Sequence, residues 1–329
     1  MRTKSKQINL RKFNWRLWLS LCLLSLFPAI YGTVKTYIIS TVGQPEAFNI
    51  IGQMEWFDLI NETLQAFLII PLYSVLNRIF KNRNSEFAEA VFKTGLCVFI
   101  LYTVFSVGVL IYGDALINAM EPSGVDLSVT GLYLRLETVA FMTGIAVSFA
   151  NTVFVVIGKE KNVYIFLIIR TVLQLISDIA LIPSFGVYGV AVSNIIANTL
   201  LSLSCVVLLY KQRYIKLCHF QKSDTATFVE WAKSGAFSGF QQFLDNLIYA
   251  VMVCKMVNAV AEQGNYWIAN NFIWDWLLIP VTALSDVIRS DCKNGYKGIH
   301  KYNYYSVAAA SIAVWILTIP AWTPFFSYV

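Results

Sequence analysis

Nine mostly apolar runs, each about 20 residues or more, fill nearly the whole chain. They cover roughly 15–42, 48–79, 90–112, 129–157, 162–183, 186–211, 234–258, 265–289 and 302–329. A helix that crosses a bilayer needs about 20 such residues, and longer runs fit by tilting. In lipid, each backbone N–H and C=O must be satisfied within its own segment, which leaves helices as the open-chain solution. The expected fold is therefore an all-α polytopic membrane protein. The composition agrees: 57% of the 329 residues are hydrophobic and 13% are charged, where a soluble domain carries about 25% charge.

The loops between these runs alternate in charge. The start is basic (Arg2, Lys4, Lys6, Arg11, Lys12, Arg16), and the loop at 42–47 has no Lys or Arg. Lys81 and Arg83 follow the second run, and an acidic loop with Asp114, Glu121 and Asp126 follows the third. The pattern continues through Lys159 and Lys161, the neutral loop 183–189, the basic stretch Lys211–Lys222, the short loop 261–264 and finally Arg289–Lys301. Basic loops collect on the cytoplasmic side, so the N-terminus is expected in the cytoplasm and the protein in the inner (plasma) membrane. The first run is too long for a signal peptide core and lacks a small-residue cleavage site. The net charge of +6 follows from the same loop bias and needs no nucleic acid.

A repeat divides the chain. Leu68-Ile69-Ile70-Pro71 in the second run matches Leu277-Leu278-Ile279-Pro280 in the eighth, and the same displacement aligns Asn61 with Asn270. Two parallel-repeat bundles are expected, related by an axis along the membrane normal. The division is a tail at 1–14, a six-helix bundle at 15–211, a cytoplasmic linker at 212–233 and a second bundle of about three spans at 234–329. The end of the linker, 225–233, mixes apolar and charged residues at helical spacing and suits either the membrane interface or a plain connection. The last residues are still apolar, so the second bundle reads as C-terminally truncated.

Ionisable groups inside spans cost several kcal/mol and mark candidate sites. The reading finds Lys35, then Glu55, Asp58 and Glu62, then Arg170 and Asp178, Asp245 and Lys255, and Asp275 and Asp286. Glu55, Asp58 and Glu62 are spaced i, i+3 and i+7 and share one helical face. Such a stripe lines a water-filled cleft suited to a cationic substrate, or sits in an internal ion-pair network. Asp245 and Lys255 lie about 15 Å apart along a helix, too far to pair. Trp274 and Trp276 point to different faces, so at most one of them faces a cleft and offers a cation–π surface. Six scattered cysteines and two histidines show no metal spacing, and no GxxxxGK[ST] nucleotide motif is present.

One stretch carries a family resemblance. Ile157-Gly158-Lys159, and above all QLISDIALIPSFGVYGVAVSN over 174–194, resemble the turn and the N-x-x-L-D…G-x-x-G…T pattern of the multidrug and toxic compound extrusion (MATE) transporters. The resemblance implies that Asp178 belongs to a proton or sodium site, with Gln174 and Asn194 where the family carries Asn and Thr. It implies an Asp at the position of Lys35, so the charge there is reversed. Lys35 then either sits near Asp178 as a protonatable stand-in for sodium, or snorkels or pairs with an acid of the second span. Asp245 resembles an acid used by the second bundle of some members.

The expected function is an H⁺- or Na⁺-coupled antiporter exporting amphipathic, cationic organic compounds by alternating access. The coupling-ion residues are Asp178, Lys35, Gln174 and Asn194. The substrate cleft is expected to hold Asp245, Glu55, Asp58, Glu62 and Trp274. The expected partners are a small-molecule substrate and the bilayer, with no nucleotide and no cofactor beyond the coupling ion, and the protein is expected to be a monomer. The alternatives are a flippase for a lipid-linked molecule, which needs a basic cleft, and a non-transporting remnant. A membrane-embedded enzyme is disfavoured by the lack of any His within a span.

Overall fold

The computed structural model describes residues 15–41, 46–120, 124–220, 224–251, 255–293 and 301–328. Every regular element among them is helical: α1 (Trp15–Thr41), α2 (Ala47–Gln53), α3 (Glu55–Leu68), α4 (Ile70–Asn82), α5 (Phe87–Ala119), α6 (Leu127–Val156), α7 (Glu160–Phe185), α8 (Val187–Lys211), α9 (Thr225–Tyr249), α10 (Lys255–Ala259), α11 (Gln263–Phe272), α12 (Ile279–Lys293) and α13 (Lys301–Tyr328). Among the described residues, seven segments are long and apolar enough to cross a membrane, and a bent pair, Gln263–Leu277 with Ile279–Ile288, brings the number to eight. The ninth expected span, 234–258, lies partly outside the described residues; its described part falls largely in α9, which carries Gln241, Gln242, Asp245 and Asn246. The expected run 48–79 is one segment, Ala47–Asn82, with breaks at Met54 and Ile69.

By packing, the chain forms two units, Ile38–Ile268 and the pair Met1–Tyr37 with Ala269–Val329. This grouping by contact is distinct from the grouping by repeat. The repeat is nonetheless visible in the helix bounds. The displacement from Pro71 to Pro280 carries the break at Ile69 onto Leu278 and the start of α4 onto that of α12. It carries α1 onto α9 and the end of α5 onto the end of α13, each to within a residue or so.

In the larger unit, two apolar clusters organise α2 to α9. One gathers Leu72, Leu76, Val91, Tyr102, Val153, Phe154, Leu201 and Trp231. The other gathers Trp56, Phe57, Tyr133, Leu134, Ile182 and Val190. Residues 225–233 are the first turns of α9. Trp231 is buried in the first cluster with Phe228 against it. Ion pairs fasten this end: Lys93 to Asp224 at 2.8 Å, Lys216 to Glu89 at 2.7 Å, and Arg78 to Glu230. The Lys216 ammonium, beside Glu89, holds its proton above the usual lysine range.

Pro71 has no N–H, so the carbonyl of Phe67 four residues earlier lacks its helical donor. Side chains of α9 cap the two carbonyls flanking it. Trp231 Nε1 donates to the Leu68 carbonyl at 2.9 Å and Ser238 Oγ to that of Ala66 at 2.9 Å. Gly235 lets the backbones close; a Cβ there would lie 2.4 Å from the Phe67 oxygen.

The start of α6 is capped by Asp126, whose carboxylate accepts from the Ser128 N–H at 2.8 Å and hydroxyl at 2.7 Å. These bonds, with a weaker one from the Val129 N–H, hold the carboxyl below its usual range. A depressed folded pKa stabilises above the unfolded value of about 3.9, and the gain is lost as pH falls through the folded value. Asp126→Ala is expected to lower the thermal midpoint at pH 7 and to narrow the gap from wild type below about pH 4. Midpoints measured across that range check this.

In the smaller unit, α1 packs on α12. Leu17, Trp18 and Leu21 meet Leu284, Val287 and Val307. Trp18 Nε1 donates to the Pro280 carbonyl at 3.0 Å.

Candidate functional site

Three helices of the larger unit, α6, α7 and α8, enclose a polar centre. The turn between α7 and α8 brings it together. Gly186 adopts φ 58°, which favours glycine. A Cβ at Gly189 would stand 2.6 Å from the Leu181 carbonyl oxygen, so only glycine lets α8 lie this close to α7. That approach places Asn194 opposite Gln174, and Gln174 Nε2 donates to Asn194 Oδ1 at 2.9 Å. Asn194 Nδ2 in turn donates to Glu137 Oε1 at 2.9 Å, and the Tyr133 hydroxyl donates to the same oxygen at 3.1 Å. Ser193 Oγ donates to the Gln174 carbonyl at 3.2 Å, and Asn198 Nδ2 to that of Ala140 at 2.8 Å. Asp178 lies one turn beyond Gln174 on α7 and is fully buried, with 0% exposed.

Gln174, Asp178 and Asn194 thus lie on facing helices of one unit, as the 174–194 motif suggests. Glu137, 6% exposed, is the residue that the sequence reading passed over. It accepts two hydrogen bonds and sits where the chain Gln174–Asn194–Glu137 ends. Its signal is available in the sequence: a carboxylate in the middle of an apolar run. Lys93, 5% exposed, was passed over in the same way.

The acids of α3 share one face, and the structure shows what surrounds it. Glu55 is half-buried, and Asp58 and Glu62 are exposed. Asp58 is within electrostatic reach of both Tyr102 and Tyr133. The Tyr102 hydroxyl donates to Asn61 Oδ1. Asn246 of α9 donates to the Leu59 carbonyl at 2.9 Å and to Thr63 Oγ1 at 3.1 Å. Glu62 also lines an open cavity of about 420 Å³ with Gln65, Tyr73, Ser148, Asn151 and Gln242. Asp245 is exposed.

Lys35 belongs to the smaller unit and is half-buried there. In the same unit Trp274 is 60% exposed, while Trp276 turns inward and donates to Thr33 Oγ1 at 3.0 Å. Among the described residues no group of three or more His, Cys, Asp and Glu could hold a metal ion.

The broken, repeated hairpin and the buried polar centre lie within an all-helical fold. Solved structures agree on the fold. A multidrug resistance MATE family transporter of the MOP superfamily, in its outward-facing conformation, aligns at a TM-score of 0.70 and 18% identity, covering 97% of this chain and 76% of that one. A mutant of a Vibrio cholerae MATE transporter aligns at 0.67 and 17%, covering 94% and 74%. A Pyrococcus furiosus MOP superfamily transporter, described as having a binding pocket of reverse polarity, aligns at 0.71 and 18%, covering 97% and 75%. The chain has the MATE fold. No family model matches it, and no curated protein matches it.

Proposed function

We propose that this chain is a cation-coupled secondary transporter that exchanges H⁺ or Na⁺ for amphipathic organic cations. The observation that carries this reading is the buried centre on α6–α8, where Glu137 takes hydrogen bonds from Asn194 and Tyr133 and Asp178 is buried nearby. Buried carboxylates inside a membrane bundle are costly and are retained for function. Asp178, Gln174 and Asn194 then serve the coupling ion, with Lys35 as a further coupling group. Glu55, Asp58, Glu62, Asp245 and Trp274 serve the substrate. The membrane is the inner (plasma) membrane, the N-terminus is cytoplasmic, and the working form is a monomer. A flippase for a lipid-linked phosphate is the second reading. Lys35 favours it and the acids of α3 oppose it.

Ethidium efflux from cells, with and without a sodium gradient, tests the first reading. Efflux that collapses with the cation gradient is the expected result, and no efflux above that of cells lacking the protein would overturn it. Lys35→Asp is expected to make efflux sodium-dependent. Unchanged, sodium-independent efflux in that variant would remove Lys35 from the coupling group.

A further inference from the structure

Apart from the coupling residues and the acids of α3, the larger unit holds another cavity, of about 540 Å³. That volume is in the range of a small-molecule site. Its charged walls are Arg78 and Arg83 at the end of α4, Glu86, Glu89 and Lys93 from the turn into α5, and Asp224 and Glu230 at the start of α9. All of them belong to the larger unit. The segment Ala47–Asn82 ends at this turn, and Asn84–Ala119 begins there. Lipid headgroups lie at the depth where spans end.

The charges in the walls balance. Four carboxylates face three cations, and Lys216, outside the lining, pairs with Glu89 at 2.7 Å. A ligand with a net charge would upset that balance, whereas a zwitterion would not.

The ion pairs differ in firmness. The Lys93 side chain is 6% exposed and lies 2.8 Å from Asp224. Breaking that pair would strand a buried charge, so it stays closed. The side chains of Arg78 and Arg83 are 50% and 70% exposed, the first against Glu230 and the second 3.6 Å from Glu86. Exposed pairs such as these hold weakly. Both guanidinium groups are therefore able to turn to a phosphate, which they grip through paired N–H donors. That movement frees Glu86 and Glu230 to accept from an ammonium.

We propose that this cavity binds a zwitterion joining a phosphate to a primary ammonium, the chemistry of a phosphoethanolamine headgroup. Arg78 and Arg83 take the phosphate, and Glu86 and Glu230 take the ammonium. A quaternary ammonium has no N–H to give these carboxylates and is the weaker ligand. Held between the α4–α5 turn and α9, the bound group fastens the two together. Nothing in this site depends on what the chain transports.

The test is binding to the full chain in detergent, read by isothermal titration and by melting temperature. The probes are dihexanoyl phosphatidylethanolamine, the matching phosphatidylcholine and phosphatidylglycerol, and free phosphoethanolamine. The ethanolamine lipid should bind best and raise the melting temperature as its concentration rises. Arg78→Gln combined with Arg83→Gln should weaken it about tenfold or more. Glu86→Gln combined with Glu230→Gln should bring the ethanolamine lipid down to the level of the choline lipid. The four side chains are at least a third exposed, so both variants should fold, and their melting temperatures without ligand verify this. Tighter binding of the lipid than of free phosphoethanolamine would assign the site to the bilayer. Equal binding of the two would keep the site and make its ligand a soluble one. Equal or better binding of the choline or glycerol lipid in wild type would overturn the proposal. So would an unchanged affinity in the arginine variant.

Discussion

Glu137→Gln is expected to leave a folded protein that no longer couples transport to a cation gradient. The amide keeps an oxygen to accept from Asn194 and Tyr133, so the packing of α6 against α8 survives. A hydrogen bond to an ion exceeds one to a neutral group by about 1 kcal/mol, which sets the stability change. What disappears is the negative charge at the end of the Gln174–Asn194–Glu137 chain. Glu137→Leu is expected to behave differently. It strands the buried Tyr133 hydroxyl, at about 1–3 kcal/mol, and the half-buried Asn194 amide, at less, and lowers the thermal midpoint as well as activity. Efflux assays paired with thermal unfolding in detergent separate the two outcomes. Wild-type gradient dependence in the Gln variant would take Glu137 out of the coupling machinery.

Gly189→Ala is expected to force α7 and α8 apart. The added carbon would meet the Leu181 carbonyl oxygen at 2.6 Å, the Leu181 carbonyl carbon at 2.7 Å and Ile182 Cα at 2.8 Å. All three are backbone atoms and cannot swing aside. Separating α7 from α8 would cost about 3 kcal/mol and would pull Asn194 from Gln174. Gly108 provides the control, since a carbon there meets nothing within 4 Å and Gly108→Ala is expected to be silent. The yield of monodisperse protein and its melting temperature report the difference.

Much of this was legible in the chain. Apolar length placed the first six spans. The spacing of Gln174, Asp178, Gly186, Gly189 and Asn194 marked the tight turn and the facing amides. The Pro71 and Pro280 motifs marked the repeat. What escaped depends on contacts far apart in sequence. Glu137 gains its role from Asn194, 57 residues on, and Lys93 is explained by Asp224, 131 residues on. Residues 225–233 mix apolar and charged positions at helical spacing, but that Trp231 packs into the core depends on partners far away in the chain. The break before Pro280 was not read from the sequence, and neither was the π-helical turn at Ile273–Leu277, since no local pattern separates π from α over five residues.

The central claim is exchange of an organic cation for a coupling cation, and proteoliposomes test it most directly. Purified protein would be reconstituted with a pH-sensitive dye inside, and tetraphenylphosphonium added outside under no, sodium or proton gradients. The account predicts tetraphenylphosphonium movement with opposed movement of H⁺ or Na⁺, lost in both Asp178→Asn and Glu137→Gln. Tetraphenylphosphonium flux that is absent, or that runs at the same rate with every gradient collapsed, would contradict it.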